Sequence, residues 1–443
     1  MAPSALTPTT EDYSYEAIIS KDISLGGVVD HGVSKAKELI GHALKSRVET
    51  IDQNTCEAGE EDAFFVADLG EVYRQHLRWK KNLARVKPHY AVKCNPDPQV
   101  LRLLNELGCG YDCASKAEID QILEMGVDPS RVIYAQPCKT KSHLRHAALK
   151  GVKQMTFDNI DELYKIKQIS PDAELFLRIH TDDSGSLVRL SQKYGASLDT
   201  TAELLELAKK LGLNVVGVAF HIGSGATDPK AFLKACQDAR FVIDQAAVYG
   251  FEIHTVDVGG GFTGDKTFEP FSAVLAAALE VYIPPHIRVI GEPGRYYVGT
   301  AFTIACSVIA RRTVTDATLG TTSYMLYLND GVYGNFSSIM YDHQHPVPMV
   351  LKAGNDIKYD VRRSGYDTPS MIEYSIWGPT CDGLDHINSS VMFPEILDVG
   401  DWLYFEDMGA YTKASATRFN GFTNSHEVIY ICSEPGASAL LGF

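Results

Sequence analysis

A lysine, an aspartate, an arginine, a histidine, a glycine triplet and a glutamate each stand at the end of a short apolar run. They are Lys93 in AVKCN, Asp112 in YDCAS, Arg178 in FLRIH, His221 in FHIGSG, Gly259 to Gly261 in DVGGGF, and Glu292 in GEPGRYY, with Arg295 just beyond. The segments HIGSG and DVGGGF leave backbone N–H groups bare and able to approach a phosphate. Arg295 adds a bidentate, charge-assisted contact to such an anion. A buried lysine near that phosphate can carry an aldehyde as a Schiff base. Glu292 can keep a pyridinium nitrogen protonated. These are the parts of a site for pyridoxal 5′-phosphate (PLP), a cofactor that acts as an electron sink while the protein orients it.

Each residue taken singly has a plainer role. Lys93 can be a snorkelling edge lysine. Asp112 can cap the helix that starts near Ser115. Arg178 can pair with a structural carboxylate, and His221 can be a satisfied core histidine. Three glycines can be a tight turn, and Glu292 with Arg295 a surface ion pair of little worth. Singly these plainer roles win. Together they require that one rim hold a series of unrelated coincidences, and there they lose.

The elements that must position these groups repeat along the chain. Short β-rich runs at 88–95, 110–115, 131–137, 154–159, 174–180, 215–223, 254–260 and 288–294 alternate with helical spacing. In TAELLELAKKLG, for example, Leu204, Leu205, Ala208 and Leu211 share a face. Eight strands alternating with helices predict an α/β fold, a (β/α)8 TIM barrel, with a doubly wound open sheet as the alternative. Barrel enzymes carry their catalytic groups where strands end and βα loops begin. After about residue 300 the runs become β-branched and aromatic between turn residues, as in FTIACSVIARRTV and SYMLYLND. We therefore expect a PLP-binding barrel over 69–302. A β-rich domain is expected over 303–443, joined by the N-terminal segment 16–68. Residues 1–15, polar and Pro-containing, are expected to be disordered.

Composition narrows the function class. The chain has 443 residues, enough for two domains, and a net charge of −15, which argues against a nucleic-acid binder. The apolar stretch 299–310 is too short to span a bilayer. The N-terminus carries no basic segment followed by an apolar one, so a cytoplasmic protein is expected, with no membrane partner. Nine cysteines at scattered spacing fit neither a disulfide scaffold nor a zinc site, and no metal is expected. Cys381, in WGPTCDGLDHI, remains open as a nucleophile, an acid or a small buried side chain.

Nearly the whole chain resembles the eukaryotic ornithine decarboxylases, of the alanine-racemase-like (fold type III) class of PLP enzymes. The motifs run in order: PHYAVKCN, YDCASKAEI, FHIGSG, DVGGGF, GEPGRYY, YLNDGVYGNF, YDHQHP, WGPTCDGLDHI, MGAYT and FNGF. The stretch PCK…GVKQMTFDN matches too, without a clear role. The resemblance implies that Lys93 binds PLP, that Asp112 lies near its ring and that Arg178 supports the site. It places the His221 imidazole on the ring, Glu292 at the ring nitrogen, and Ser224, Gly260, Gly261, Arg295 and Tyr411 at the phosphate. Asp342 and Asp382 would hold the distal amine of ornithine, and Cys381 would return a proton to the α-carbon. The site is expected at a homodimer interface, with Cys381, Asp382 and Tyr333 reaching across from the partner subunit. The product would be putrescine, at the entry to polyamine biosynthesis. His180 departs from the small or apolar residue expected after that arginine, and a long degradation-signal tail is not apparent after FNGF.

Two other readings belong beside this one. A lysine or other diamino-acid decarboxylase would keep the PLP residues. Asp342, Asp382 and His343 fit ornithine, but one methylene changes affinity modestly. A catalytically inactive homologue that binds the family's inhibitory protein, antizyme, should have lost cofactor or acid residues. Lys93, Asp112, Glu292, Arg295, Cys381 and Asp382 are all present. Antizyme stays open as a partner of an active enzyme. Asp342 as a turn cap and Asp382 in a solvated loop are the plainer roles there, since the Asp-Gly pair is turn chemistry in its own right.

Overall fold

The computed structural model describes residues 31–316, 320–359 and 371–442; the stretch 1–15 lies outside the described residues. The chain divides into two compact units. One comprises Leu77–Lys93 and Leu104–Tyr296. The other takes in, of the described residues, those from His31 to His76, Cys94–Leu103, and those from Tyr297 onward.

The first β-strand in the chain, β1 (Phe64–Asp68), belongs to the second unit. The barrel is built from β2 (Val86–Ala91), β3 (Gly110–Cys113), β4 (Val132–Tyr134), β5 (Gln154–Phe157), β6 (Glu174–Arg178), β8 (Asn214–Ala219), β10 (Thr255–Asp257) and β11 (Arg288–Gly291). All eight are parallel, in sequence order, and β11 pairs with β2 to close the ring. Each overlaps one of the runs expected to be a strand, with β2 and β8 starting two residues and one residue earlier. Burial on both faces explains why these strands read as near-continuous apolar runs such as VVGVA. The closed barrel, and not the open sheet, is the architecture. A small antiparallel pair, β7 (Ser186–Val188) with β9 (Ser224–Ala226), lies outside the ring and was not expected.

The helices cover the strands with the faces their spacing dictates. In Thr201–Leu211, Leu204, Leu205 and Ala208 are buried, and Gly212 ends the helix in the left-handed region. An aromatic cluster packs behind the last strands. The buried Trp79 donates its indole N–H to Val86 O at 2.8 Å, and its ring meets those of Phe262, Phe268 and Tyr296.

The second unit carries a nine-stranded sheet. The strands are β1, β12 (Phe302–Asp316), β13 (Thr321–Leu328), β14 (Met349–Ala353), β15 (Asp356–Ile357), β16 (Ile372–Trp377), β17 (His386–Phe393), β18 (Trp402–Phe405) and β19 (Val428–Ile431). The long β12 changes partners along its length. Ile304–Ser307 pairs with β18, and beyond a bulge between Val308 and Ala310 the strand pairs with β13. β1 lies between β12 and β19, so the N-terminal strand does join the C-terminal sheet. The core there is formed by Leu44, Val48, Phe64, Val66, Leu351 and Trp402. Among the described residues no helix is long and apolar enough to cross a membrane.

The stretch PCK…GVKQMTFDN has a structural role inside the barrel unit. Lys139 and Glu162 are both buried. The ammonium meets Glu162 Oε1 at 2.9 Å and donates to the carbonyls of Gln136 and Thr156. Lys165 approaches the other oxygen of Glu162. Replacing Lys139 alone by Met leaves Glu162 buried with half its compensation, and should cost about 3 kcal/mol. The Lys139→Met, Glu162→Leu pair should recover most of that loss. Urea unfolding midpoints of the two variants check this; equal destabilisation of both would contradict it.

Candidate active site

Lys93 sits in a single 3-10 turn, Val92–Cys94, directly after β2. β2 and β3 pair with Ala91 opposite Asp112, which sets the lysine beside that carboxylate. The Lys93 ammonium contacts Asp112 Oδ2. The aspartate is fully buried, while 42% of the lysine side chain is exposed. Asp112 therefore does not cap the following helix. Ser115 does, accepting from Glu118 N, and Glu118 in turn accepts from Ala114 N at 2.6 Å. Asp112 Oδ1 is buried with no hydrogen-bond partner among the described residues.

His221 follows β8. Its Nδ1 accepts a hydrogen bond from Gly223 N at 3.0 Å, which leaves the ring proton on Nε2. Burial, with Arg178 and Lys93 nearby, pushes its pKa well below the ordinary value, so the imidazole is neutral. Arg178, at the end of β6, rests its guanidinium over the Tyr194 ring at 5.3 Å. His180, two residues on, is exposed and donates its backbone N–H to Ala196 O. Ser224 opens β9, opposite Val188.

The glycine triplet is required by space and by backbone. Gly259 and Gly261 have φ of +65° and +98°, and a Cβ would lie 2.3 Å from Phe220 O and 2.7 Å from Gly223 O respectively. The result is a bare backbone loop beside His221 and Glu292, with Arg295 opening the short helix Arg295–Val298.

Asp257, the last residue of β10, was not among the expected site residues, although DVGGGF contains it. It is 1% exposed, and its Oδ1 accepts from Gly259 N at 2.9 Å. Its side chain also meets the Glu292 carboxyl. Burial raises its pKa to about 6. Burial and the charges of Asp257 and Asp112 push Glu292 well above the usual carboxylate range. A carboxylate two residues before a glycine turn, at a strand end already rich in charged neighbours, was the available signal. The glycines drew the reading away from it.

The second unit holds its own group of expected residues. Because β13 and β16 are parallel neighbours, with Tyr327 opposite Trp377, their following loops leave from the same end of the sheet. That places Tyr333 and Asp382 together, with the phenol donating to Asp382 Oδ2. The phenol hydrogen bond and the Leu384 N–H lower the pKa of Asp382. Asp385, which sequence reasoning passed over, ties the two loops: it accepts from Val332 N at 2.8 Å and from Thr380 N at 2.9 Å. Cys381 is exposed, and its N–H donates to Asn420 Oδ1 at 2.9 Å. Asn420, His343 and Tyr411 all hold positive φ near 54°, a costly backbone state outside glycine that clusters at functional sites. Asp342 is buried at the end of the helix Ser338–Tyr341. Lys93, Asp112, Arg178, His221, Ser224, Gly260, Gly261, Glu292 and Arg295 thus belong to the barrel unit. Tyr333, Asp342, Cys381, Asp382 and Tyr411 belong to the other.

Residues 69–299 match the pyridoxal binding domain of the pyridoxal-dependent decarboxylases. Ornithine decarboxylase of Neurospora crassa is 63% identical over 436 residues, which cover 93% of this chain and 90% of its own length. Antizyme inhibitor 2 of Xenopus laevis is 47% identical, over 87% of this chain and 84% of its own. Among solved structures, the lysine/ornithine decarboxylase of Vibrio vulnificus complexed with putrescine matches with a TM-score of 0.74 at 28% identity. It covers 89% of this chain and 98% of its own.

The Asp257 environment makes a signed prediction. Its folded pKa of about 6 lies above the ordinary aspartate value of 3.8, so the folded state holds a proton that the unfolded state gives up as pH rises. Asp257 then favours folding fully only below the lower value, and that contribution fades as pH climbs through the upper one. Asn keeps the acceptor for Gly259 without the charge. In ligand-free protein, the melting temperature of Asp257→Asn relative to the parent should be unchanged near pH 4 and should rise by pH 7. A pH-independent difference would contradict the assignment.

Proposed function

Because the chain belongs to the pyridoxal-dependent decarboxylases, we propose that it decarboxylates L-ornithine to putrescine and CO2 with PLP, the entry step of polyamine biosynthesis. The rim of the barrel carries this reading: a lysine anchored by a buried aspartate, a bare glycine loop, and a glutamate whose hold on a proton is raised by burial and neighbouring carboxylates. The residues fit the cofactor. Among the described residues the buried Asp112 Oδ1 has no hydrogen-bond partner, and the glycine loop tolerates no side chain.

When bound, PLP accepts the electron pair left on the α-carbon as CO2 departs. The protein's residues divide the remaining work. Lys93 supplies the amine that holds the cofactor aldehyde, and Asp112 orients that amine. Glu292 keeps a proton at the ring nitrogen. His221 covers the ring without adding a second cation beside it, because its burial keeps it neutral. Ser224, Gly260, Gly261, Arg295 and Tyr411 hold the phosphate. Asp342 and Asp382, with Tyr333 positioning the latter, accept the distal ammonium, so a substrate lacking that group leaves buried acceptors unpaired. Cys381 returns the proton to the α-carbon.

The active species in this reading is a homodimer in which Cys381, Asp382 and Tyr333 serve the partner's barrel. The exposure of Cys381 and of Leu384, at 63%, within a single chain supports that part. A thiol that must stay reduced to act as an acid suits the cytosol. The antizyme inhibitor relative keeps antizyme as a further partner. The presence of Lys93, Glu292 and Cys381 together speaks against an inactive homologue.

Purified protein should show a visible absorption band that Lys93→Ala abolishes; a band that survives this change overturns the lysine assignment. Assayed side by side, ornithine should be turned over faster than lysine, and a preference for lysine would replace the substrate. Cys381→Ala should divert turnover to products other than putrescine. Unchanged putrescine rate and yield would remove the acid assignment.

A further inference from the structure

Asp257 and Glu292 stand at the ends of neighbouring strands, since β10 pairs with β11 with Asp257 opposite Ile290. One backbone unit ties them. Gly259 donates to Asp257 Oδ1 at 2.9 Å and accepts from Glu292 N at 2.6 Å. Asp257 is fully enclosed, and its carboxyl meets the carboxyl of Glu292 side chain to side chain.

The strongest charges acting on this pair are few. Asp112 and Lys93 act on Glu292, and Asp112 and Arg178 act on Asp257. Arg288 also feels Asp257, but its larger partner is Glu174. His221, beside the glycine loop, is neutral. Three carboxyl groups therefore face two committed cations, and burial of an uncompensated charge is costly. One proton balances the set. The raised proton affinities of both Asp257 and Glu292 agree with that count.

We propose that Asp257 is a positioning residue for Glu292: the two carboxyls share one proton, and Asp257 sets how firmly a proton is kept at the cofactor's ring nitrogen. When the nitrogen is presented, the proton passes to it from a Glu292 oxygen, and both carboxyls are left ionised around the new N–H. No proton is gained or lost overall. The inference rests on the reading of Glu292 as the partner of that nitrogen.

The test uses enzyme loaded with PLP labelled with nitrogen-15 in the ring, whose chemical shift reports ring protonation directly. In the parent, the ring should stay protonated into the alkaline range. In Asp257→Asn the midpoint should fall by on the order of one pH unit, the size expected for loss of one close charge. An unmoved midpoint overturns the proposal. Glu292→Gln separates the two layers. A ring that remains protonated in that variant overturns the reading of Glu292 itself. A ring that loses its proton there but is unmoved in Asp257→Asn overturns only the shared-proton inference.

A second measurement needs no variant. Infrared spectra of the cofactor-free parent at neutral pH should contain a carboxylic-acid C=O stretch that disappears as PLP is loaded. Absence of that band overturns the proposal even where Asp257→Asn fails to fold.

Discussion

Three carboxyl groups at one rim of a closed barrel, two buried and one half-buried, set the terms for the rest of this structure. Asp112, Asp257 and Glu292 come from three different strands, and ring closure brings those strand ends to the same side. Ionised carboxylates cannot be enclosed without compensation. The lysine at the end of β2, the arginine at the end of β6 and the protons held by the carboxyls themselves supply it. The neutral state of His221 follows from the same field, because burial and two neighbouring cations both disfavour a third positive charge.

That arrangement opposes folding and favours chemistry. Asp257 would be more easily buried as an amide, and Asp112 Oδ1 has no hydrogen-bond partner among the described residues. Active sites commonly retain such groups at a cost in stability. The cost is carried by a barrel whose walls are largely apolar, by the aromatic cluster around Trp79, and by a compensated ion pair at Lys139 and Glu162.

The second unit solves a different problem, that of holding an exposed thiol in a defined place. Parallel pairing of β13 and β16 sends two loops off the same sheet end, and Asp385 ties them by accepting one backbone N–H from each. Tyr333 and Asp382 then meet by construction. The positive φ of Asn420 gives the loop that carries Cys381 a fixed acceptor. A rigid surround of this kind suits the proton-donor role proposed for Cys381.

The eight barrel strands and the residues at their ends were legible in the chain because strand pattern and turn chemistry are local properties. The motifs carrying Lys93, His221, Glu292 and Cys381 were legible for the same reason, and the resemblance supplied their roles. Tertiary structure alone decided that the barrel closes, that Asp112 meets Lys93 while Ser115 caps the helix, and that Asp257 belongs with Glu292. It also decided that Asp385 joins two loops far apart in the chain. These are pairings between the ends of separate elements. A side chain's neighbours across a barrel rim, and hence its protonation, depend on register and burial, which no single stretch of sequence contains.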